Sequence, residues 1–309
     1  MLRPQSVPLT LPDSVNKNLK VFDPRRKPGV FFCYNLRMLE RTQQKIEINR
    51  DQADSWYPLI AVPCYDQQVT EPFFMSMIKL TMGCKNMGLK FGISTISDSL
   101  ITRARNNLVA KFMSNPEFTH IMFIDADIGF DYEDFIKMLW HDKEIMTGSY
   151  PIKSIDWAKI HRLATSGHEP NDLMAKGLRY VINPVKSGSG EISVENGALK
   201  IYDAGTGFML IKRSVIEKMI EAYPHLKFTD DTGSLSQEEK KWTYNFFDAY
   251  IDDETNRLLS EDYGFCRYWQ KIGGDVWVDP SIELLHLGRM KYEGRMLDYL
   301  DTVVKVKSD

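Results

Sequence analysis

The chain predicts an α/β sandwich with a mainly parallel central sheet and a small antiparallel portion. Three observations carry that expectation. Apolar runs of strand length recur at 59–62, 91–96 and 121–124. Stretches with helical spacing of apolar residues fill the gaps, and strand–helix alternation is what builds parallel sheets. The composition, 43% hydrophobic and 26% charged across 309 residues, provides ample core.

The elements follow in order. Pro4, Pro8, Pro12, Pro24 and Pro28 mark residues 1–28 as an arm or irregular extension, residues 30–57 are mixed, and 1–57 together are expected to be an N-terminal extension packing on the core. Gly29 to Tyr34 is a candidate strand within it. Leu59-Ile60-Ala61-Val62, ended by Pro63, has the form of a buried strand. Thr70 to Gly88 is expected to be helical, with Pro72 in the first turn. Phe91 to Ile96 is the second strand. A helix over 98–114 is expected, capped by Ser97 or Asp98, with Leu100, Ala104, Leu108 and Phe112 on one face. Ile121 to Ile124 is the third strand, Asp131 to Trp140 a helix, and Glu144 to Met146 the start of another strand.

The second half differs. Residues 178–202 predict short antiparallel strands, turning at Glu195-Asn196-Gly197. Phe208 to Ile211 is an apolar strand, followed by a helix from Ser214. Residues 229–260 are polar around Asp230-Asp231-Thr232-Gly233-Ser234 and aromatic at Trp242, Tyr244, Phe246 and Phe247. They are expected to form a long loop of the size of a functional lid. A helix from Glu261 to Lys271 stops at Gly273-Gly274.

Charge and cysteine content narrow the function classes. A net charge of −3 carries no basic excess, so a nucleic-acid partner is not expected. The four cysteines, Cys33, Cys64, Cys84 and Cys266, form no C-x-x-C pair. That argues against zinc and a disulfide framework, and for a reducing, cytoplasmic location. The first residues lack the apolar centre of a signal peptide, and no run reaches membrane-spanning length.

Asp125-Ala126-Asp127 follows the third strand directly. Ligands of open α/β sheets bind beyond the carboxyl ends of strands. Alternation lets both carboxylates face one crevice, where a divalent cation bridging them to a substrate's phosphates would justify their burial. On this motif alone, a metal site and a capped strand end are equally good readings. Arg103, Arg105, Asn106 and Asn107 lie on the polar side of the preceding helix; they suit a nucleotide, a carboxylate or plain solvent. Glu261-Asp262 opens a helix, where acids are stabilised by the dipole and where one can also serve as a general base. His286 is a lone histidine, able to ligate a metal or to sit at the surface. Gly205-Thr206-Gly207 is a turn, or a close backbone approach to a ligand. No dinucleotide fingerprint, P-loop or nucleophile elbow is present.

Taken in order, these segments resemble the GT-A glycosyltransferases, the Rossmann-like nucleotide-diphospho-sugar transferases, and especially their family 2-like group. Val62-Pro63-Cys64-Tyr65 resembles the turn that cradles the donor base, and Ala104-Arg105-Asn106 the A-R-N of the helix before the metal motif. Asp125-Ala126-Asp127 resembles the D-x-D, and Gly205-Thr206-Gly207-Phe208 the acceptor-side glycine segment. Glu261-Asp262 resembles the E-D pair, and His286 the late metal histidine. Asp66 stands where an asparagine is usual. The stretch 101–135 also resembles a group of fungal mannosyltransferases, some features of which would point to retention of configuration.

The resemblance covers 58–290, and implies a donor half at 58–150 and an acceptor half at 151–290 with the insert 229–260; 291–309 is a C-terminal tail. It implies Mn²⁺ or Mg²⁺ on Asp127, assisted by Asp125 and His286. It implies a nucleotide-diphosphate sugar held by Pro63, Tyr65, Arg103, Arg105, Asn106 and Asp125. The acceptor, a hydroxyl-bearing glycan or glycoprotein, would lie along Gly205, Thr206 and Gly207. Asp262 would be the catalytic base of an inverting transfer, with Glu261 orienting it. Three other readings stay open: glycosylation of modified DNA, nucleotidyl transfer, and non-catalytic sugar-nucleotide binding.

Overall fold

The computed structural model describes residues 48–180, 182–185, 192–290 and Met296. Most of the expected N-terminal extension, Cys33 and nearly all of the tail lie outside the described residues.

The described chain opens with α1 (Arg50–Ser55), capped by Asn49. β1 (Pro58–Pro63) leads through a 3₁₀ turn to α2 (Glu71–Met87). Thr70 caps α2, and Gly88 ends it in the left-handed conformation at φ 77°. Next come β2 (Gly92–Ile96), α3 (Ile101–Ser114) and β3 (His120–Ile124). β4 (Ile128–Gly129), α4 (Tyr132–Trp140) and β5 (Ile145–Gly148) follow. A segment whose course the sequence does not disclose then forms β6 (Pro151–Ile155), α5 (Trp157–Thr165), α6 (Pro170–Gly177) and β7 (Leu178–Tyr180). β8 (Val194–Glu195) turns through Asn196 and Gly197, both at positive φ, into β9 (Ala198–Ile201). β10 (Phe208–Lys212) and α7 (Arg213–Ala222) precede the short ribbon β11 (Tyr250–Ile251) and β12 (Leu258–Leu259). α8 (Glu261–Lys271), β13 (Val276–Asp279) and β14 (Leu285–His286) complete the order.

The main sheet runs β2-β1-β3-β10-β5-β13-β9-β8. β1, β2 and β3 are mutually parallel, as are β5 and β13. β10 lies antiparallel between β3 and β5, and β9 antiparallel beside β13. Small antiparallel pairs, β14–β4 and β6–β7, sit apart from it. The α/β sandwich with a mainly parallel sheet is thus present.

Alternation along each strand splits the core into two layers. Ala61, Phe123, Met209 and Val278 face α3, α7 and α8. Ile60, Met122, Leu210 and Trp277 face α2 and α4. No helix among the described residues is long and apolar enough to cross a membrane.

Two expectations need correction. α3 starts at Ile101 rather than at 98; Asp98 stands outside it, accepts from the Leu100 amide, and pairs with Arg103. The stretch 229–260 is no loose lid. Phe246 and Phe247 are fully buried, Phe247 stacks on Phe265 at 4.4 Å, and Tyr244 stacks on Phe246 at 5.5 Å. Its aromatic residues complete the α3–α8 layer, which is why so polar a stretch carries so many rings.

Candidate active site

The crossing of β3 by β10 creates the site. Because the two strands are antiparallel, Phe208 at the start of β10 pairs with Ile124 at the end of β3. Gly207 therefore meets Asp125, whose amide donates to the Gly207 carbonyl at 2.9 Å. Ala126 is held next: the Thr70 amide and hydroxyl both donate to its carbonyl, at 2.9 and 3.2 Å. The Asp127 carbonyl accepts from the Leu287 amide at 3.0 Å. Each residue of Asp125-Ala126-Asp127 is thus tied to a different segment.

The two carboxylates face different partners. Arg105, on α3, reaches Asp125 at 3.1 Å and Glu261 at 2.7 Å. Its guanidinium is only 4% exposed, so this bridge lies in a low-dielectric setting. Burial works against its charge, but Asp125 and Glu261 more than restore it. Burial also pushes the Glu261 carboxyl above its ordinary range, an effect that Arg105 only partly offsets.

Asp127 meets Lys153 of β6 at 2.5 Å through one oxygen, and His286 Nε2 at 3.6 Å through the other. Burial pushes its carboxyl up, yet the His286 ring and the Lys153 ammonium together hold it below the ordinary value. His286 Nδ1 donates to the Pro151 carbonyl at 2.8 Å, and Tyr150 packs edge-on against the ring at 5.1 Å. The backbone carbonyl on Nδ1 fixes the ring with Nε2 turned toward Asp127, the kind of contact that orients ligating histidines.

The residues present fit a divalent cation as a half-site. Two ligands sharing one ion stand roughly 3–3.5 Å apart, given bonds near 2.1 Å. The Asp127–His286 separation of 3.6 Å is close to that. Among the described residues no group of three His, Cys, Asp or Glu side chains could hold a metal, so phosphate and water would have to supply the rest.

Glu261 and Asp262 occupy the first turn of α8. Asp262 Oδ1 accepts from the Ser260 hydroxyl and from the Tyr263 amide at 2.9 Å. Asp262 also lines a cavity of about 150 Å³, together with Tyr150, Ile152, Ala204, Gly205 and Tyr263. A carboxylate at the rim of a pocket can take a proton from a bound hydroxyl.

The other expected residues are dispersed. Tyr65 is 68% exposed beyond the end of β1, where Asp66 and Gln67 both take positive φ; Pro63 ends that strand. Arg103 binds Asp98, at 2.6 and 2.7 Å, away from Asp125. Asn106 is buried and brackets the insert: it donates to Asn245 and the Phe247 carbonyl, and accepts from the Phe247 amide. Thr206 is fully buried, while a Cβ on Gly205 would strike the Tyr150 hydroxyl and one on Gly207 would lie 2.8 Å from Asp125 Oδ2.

Sequence reasoning missed two residues. Tyr150, whose hydroxyl accepts from the Gly207 amide at 3.2 Å, lies just past the carboxyl end of β5. That position was a usable signal. Lys153 had none, because it lies in a segment whose strand pairing is invisible in the chain.

No protein-family model and no curated protein matches the chain. Solved structures overlap it at low similarity. The crystal structure of A197 from STIV aligns with TM-score 0.40 and 13% identity, covering 76% of this chain and 86% of that one. GalNAc-T7 with UDP, GalNAc and Mn²⁺ aligns at 0.36 and 10%, covering 76% and 44%. The inositol-1-phosphate CTP transferase from T. maritima aligns at 0.36 and 10%, covering 75% and 89%. Overlaps at this level carry no argument about the chain.

Proposed function

We propose that the chain is a metal-dependent glycosyltransferase, moving a sugar from a nucleotide-diphosphate donor to a hydroxyl on a glycan or glycoprotein. One observation supports this most: an oriented histidine and a carboxylate spaced for a shared cation, on the same sheet end as a pocket rimmed by Asp262.

Asp127 and His286 would hold Mn²⁺ or Mg²⁺, which when bound neutralises charge on the departing diphosphate. Arg105 fixes Asp125 and Glu261 so that neither collapses onto that position. Asp125 is then left to face the donor, with Tyr65 and Pro63 at the end of β1 beside its base. Asp262 accepts the proton of the acceptor hydroxyl as that oxygen attacks the anomeric carbon. Its Oδ1 is already bound by Ser260 and Tyr263, so Oδ2 does the work. Attack from the face opposite the diphosphate gives inversion.

A thermal-shift screen of nucleotide sugars with and without Mn²⁺ tests the reading, since a specific ligand stabilises by mass action. One donor should raise the melting temperature only with metal, and Asp127→Asn should abolish both that shift and donor hydrolysis. No shift with any donor, or full hydrolysis by Asp127→Asn, refutes it. Turnover of a nucleoside triphosphate with a sugar phosphate would instead assign nucleotidyl transfer.

A further inference from the structure

Asp127 already has a cation. Lys153 Nζ stands 2.5 Å from its Oδ2. The lysine's stem crosses Gly288, where an added Cβ would lie 2.9 Å from its Cγ and Cδ. β6 couples it to the histidine: the Pro151 carbonyl serves His286 Nδ1 and, two residues on, the Lys153 side chain serves Asp127. One short strand therefore both orients the metal-facing imidazole and places an ammonium on the metal-facing carboxylate.

The charges around the site make this ammonium distinctive. Asp125, Asp127, Glu261 and Asp262 face Arg105 and Lys153. Arg105 is buried and held by two carboxylates, so it cannot move without stranding both. Lys153 is 42% exposed on a flexible stem and can move at little cost. A divalent ion between Asp127 Oδ1 and His286 would share that carboxylate with the ammonium on Oδ2, and the two positive charges repel. A diphosphate offers the ammonium a new anionic partner, and so frees the carboxylate.

We propose that Lys153 is a tethered counter-cation that guards Asp127 in the free protein and transfers to the donor diphosphate as the metal enters. This rests on the metal-dependent reading of the site and adds its binding logic. Metal and nucleoside diphosphate then bind synergistically, each promoting the other by the same factor. Neither is captured well alone.

The test is Mn²⁺ binding to the full chain, followed by electron paramagnetic resonance of the free ion, with no acceptor and no turnover. Wild type, Lys153→Gln and Lys153→Arg are compared alone and with UDP or GDP as probes. Wild type should bind Mn²⁺ weakly alone and about tenfold or more tightly with the diphosphate, within the usual range of coupling. Lys153→Gln should bind Mn²⁺ alone about tenfold more tightly than wild type and lose most of the synergy. Lys153→Arg, which keeps the charge, should stay near wild type. Equal Mn²⁺ affinity and equal synergy in wild type and Lys153→Gln overturn the proposal while leaving the metal reading intact. Mn²⁺ bound by none of the proteins, with either diphosphate, overturns both.

Discussion

The two aspartates of the D-A-D motif have separate duties, set by their neighbours rather than by the motif. Asp125 belongs to a buried network with Arg105 and Glu261. Removing one partner of such a network leaves uncompensated charge in a low-dielectric region. Arg105→Leu should therefore cost about 3–5 kcal/mol of stability, read as a lower urea midpoint. Arg105→Lys should rescue little, because a single ammonium cannot span two carboxylates as a planar fork does. Asp127→Asn, at a half-exposed position, should change stability by less than about 1 kcal/mol while removing Mn²⁺ binding. Gly207→Ala adds a methyl 2.8 Å from Asp125 Oδ2 and from the Tyr150 ring. It should cut donor hydrolysis by about tenfold or more through displacement of the carboxylate, because angstrom-scale misplacement of an active site carries penalties of that order. An unchanged rate in Gly207→Ala would mean that Asp125 does not face the donor. At this scale the order of motifs along the chain named Asp125, Asp127, Arg105, Glu261, Asp262 and His286; the structure joins Arg105 to Asp125 and Glu261 and sets Asp127 beside His286. It also proposed Arg103 and Asn106, which the structure commits to Asp98 and to the insert. A helix face does not reveal that Arg103 turns back to an acid five positions earlier, nor that Asn106 finds its partners more than a hundred positions away.

At the scale of elements, α3 and the stretch 229–260 are a single packed unit. The Asn106 side chain satisfies both the amide and the carbonyl of Phe247, in the interior. Asn106→Ala would leave those two groups buried and unpaired, at about 2–4 kcal/mol. The loss should appear as a lower denaturant midpoint together with faster proteolytic cleavage between 229 and 260. An intact, protease-resistant insert in that variant would show that its aromatic packing suffices alone. The regular elements were legible because period-2 and period-3.6 patterns are local. The insert was not, since Tyr244, Phe246 and Phe247 lie in irregular chain with no period to detect. The antiparallel course of β10 was hidden for a related reason: an apolar strand buried on both faces looks the same in either direction. That direction is what brings Gly207 to Asp125.

Across the whole molecule, one buried histidine predicts that acid will weaken the fold. His120 opens β3, is 7% exposed, and has its pKa pushed down from 6.5 to about 4 by burial, aided by nearby Lys212. Between those values only the unfolded chain binds the proton. Stability contributed by the neutral ring is therefore whole above pH 6.5 and falls as the pH drops toward 4, by roughly 3 kcal/mol if this residue acts alone. His120→Gln should flatten that part of the stability curve, measured by urea unfolding at several pH values. An unchanged slope would place the sensitivity elsewhere.

β13 lies inside the sheet, between β5 and β9, yet in the chain it follows every other strand of that sheet. Until residues 276–279 emerge, the five strands β2-β1-β3-β10-β5 and the pair β9-β8 lack the strand that joins them. The edge of β5 facing that gap, rich in apolar residues, has no partner until residues 276–279 emerge. Long-range pairing of this kind is slow, and open apolar edges invite aggregation. A product shortened before Val276 should therefore accumulate as insoluble material or bound to chaperones, whereas one that carries residues 276–279 should release once β13 has closed the sheet.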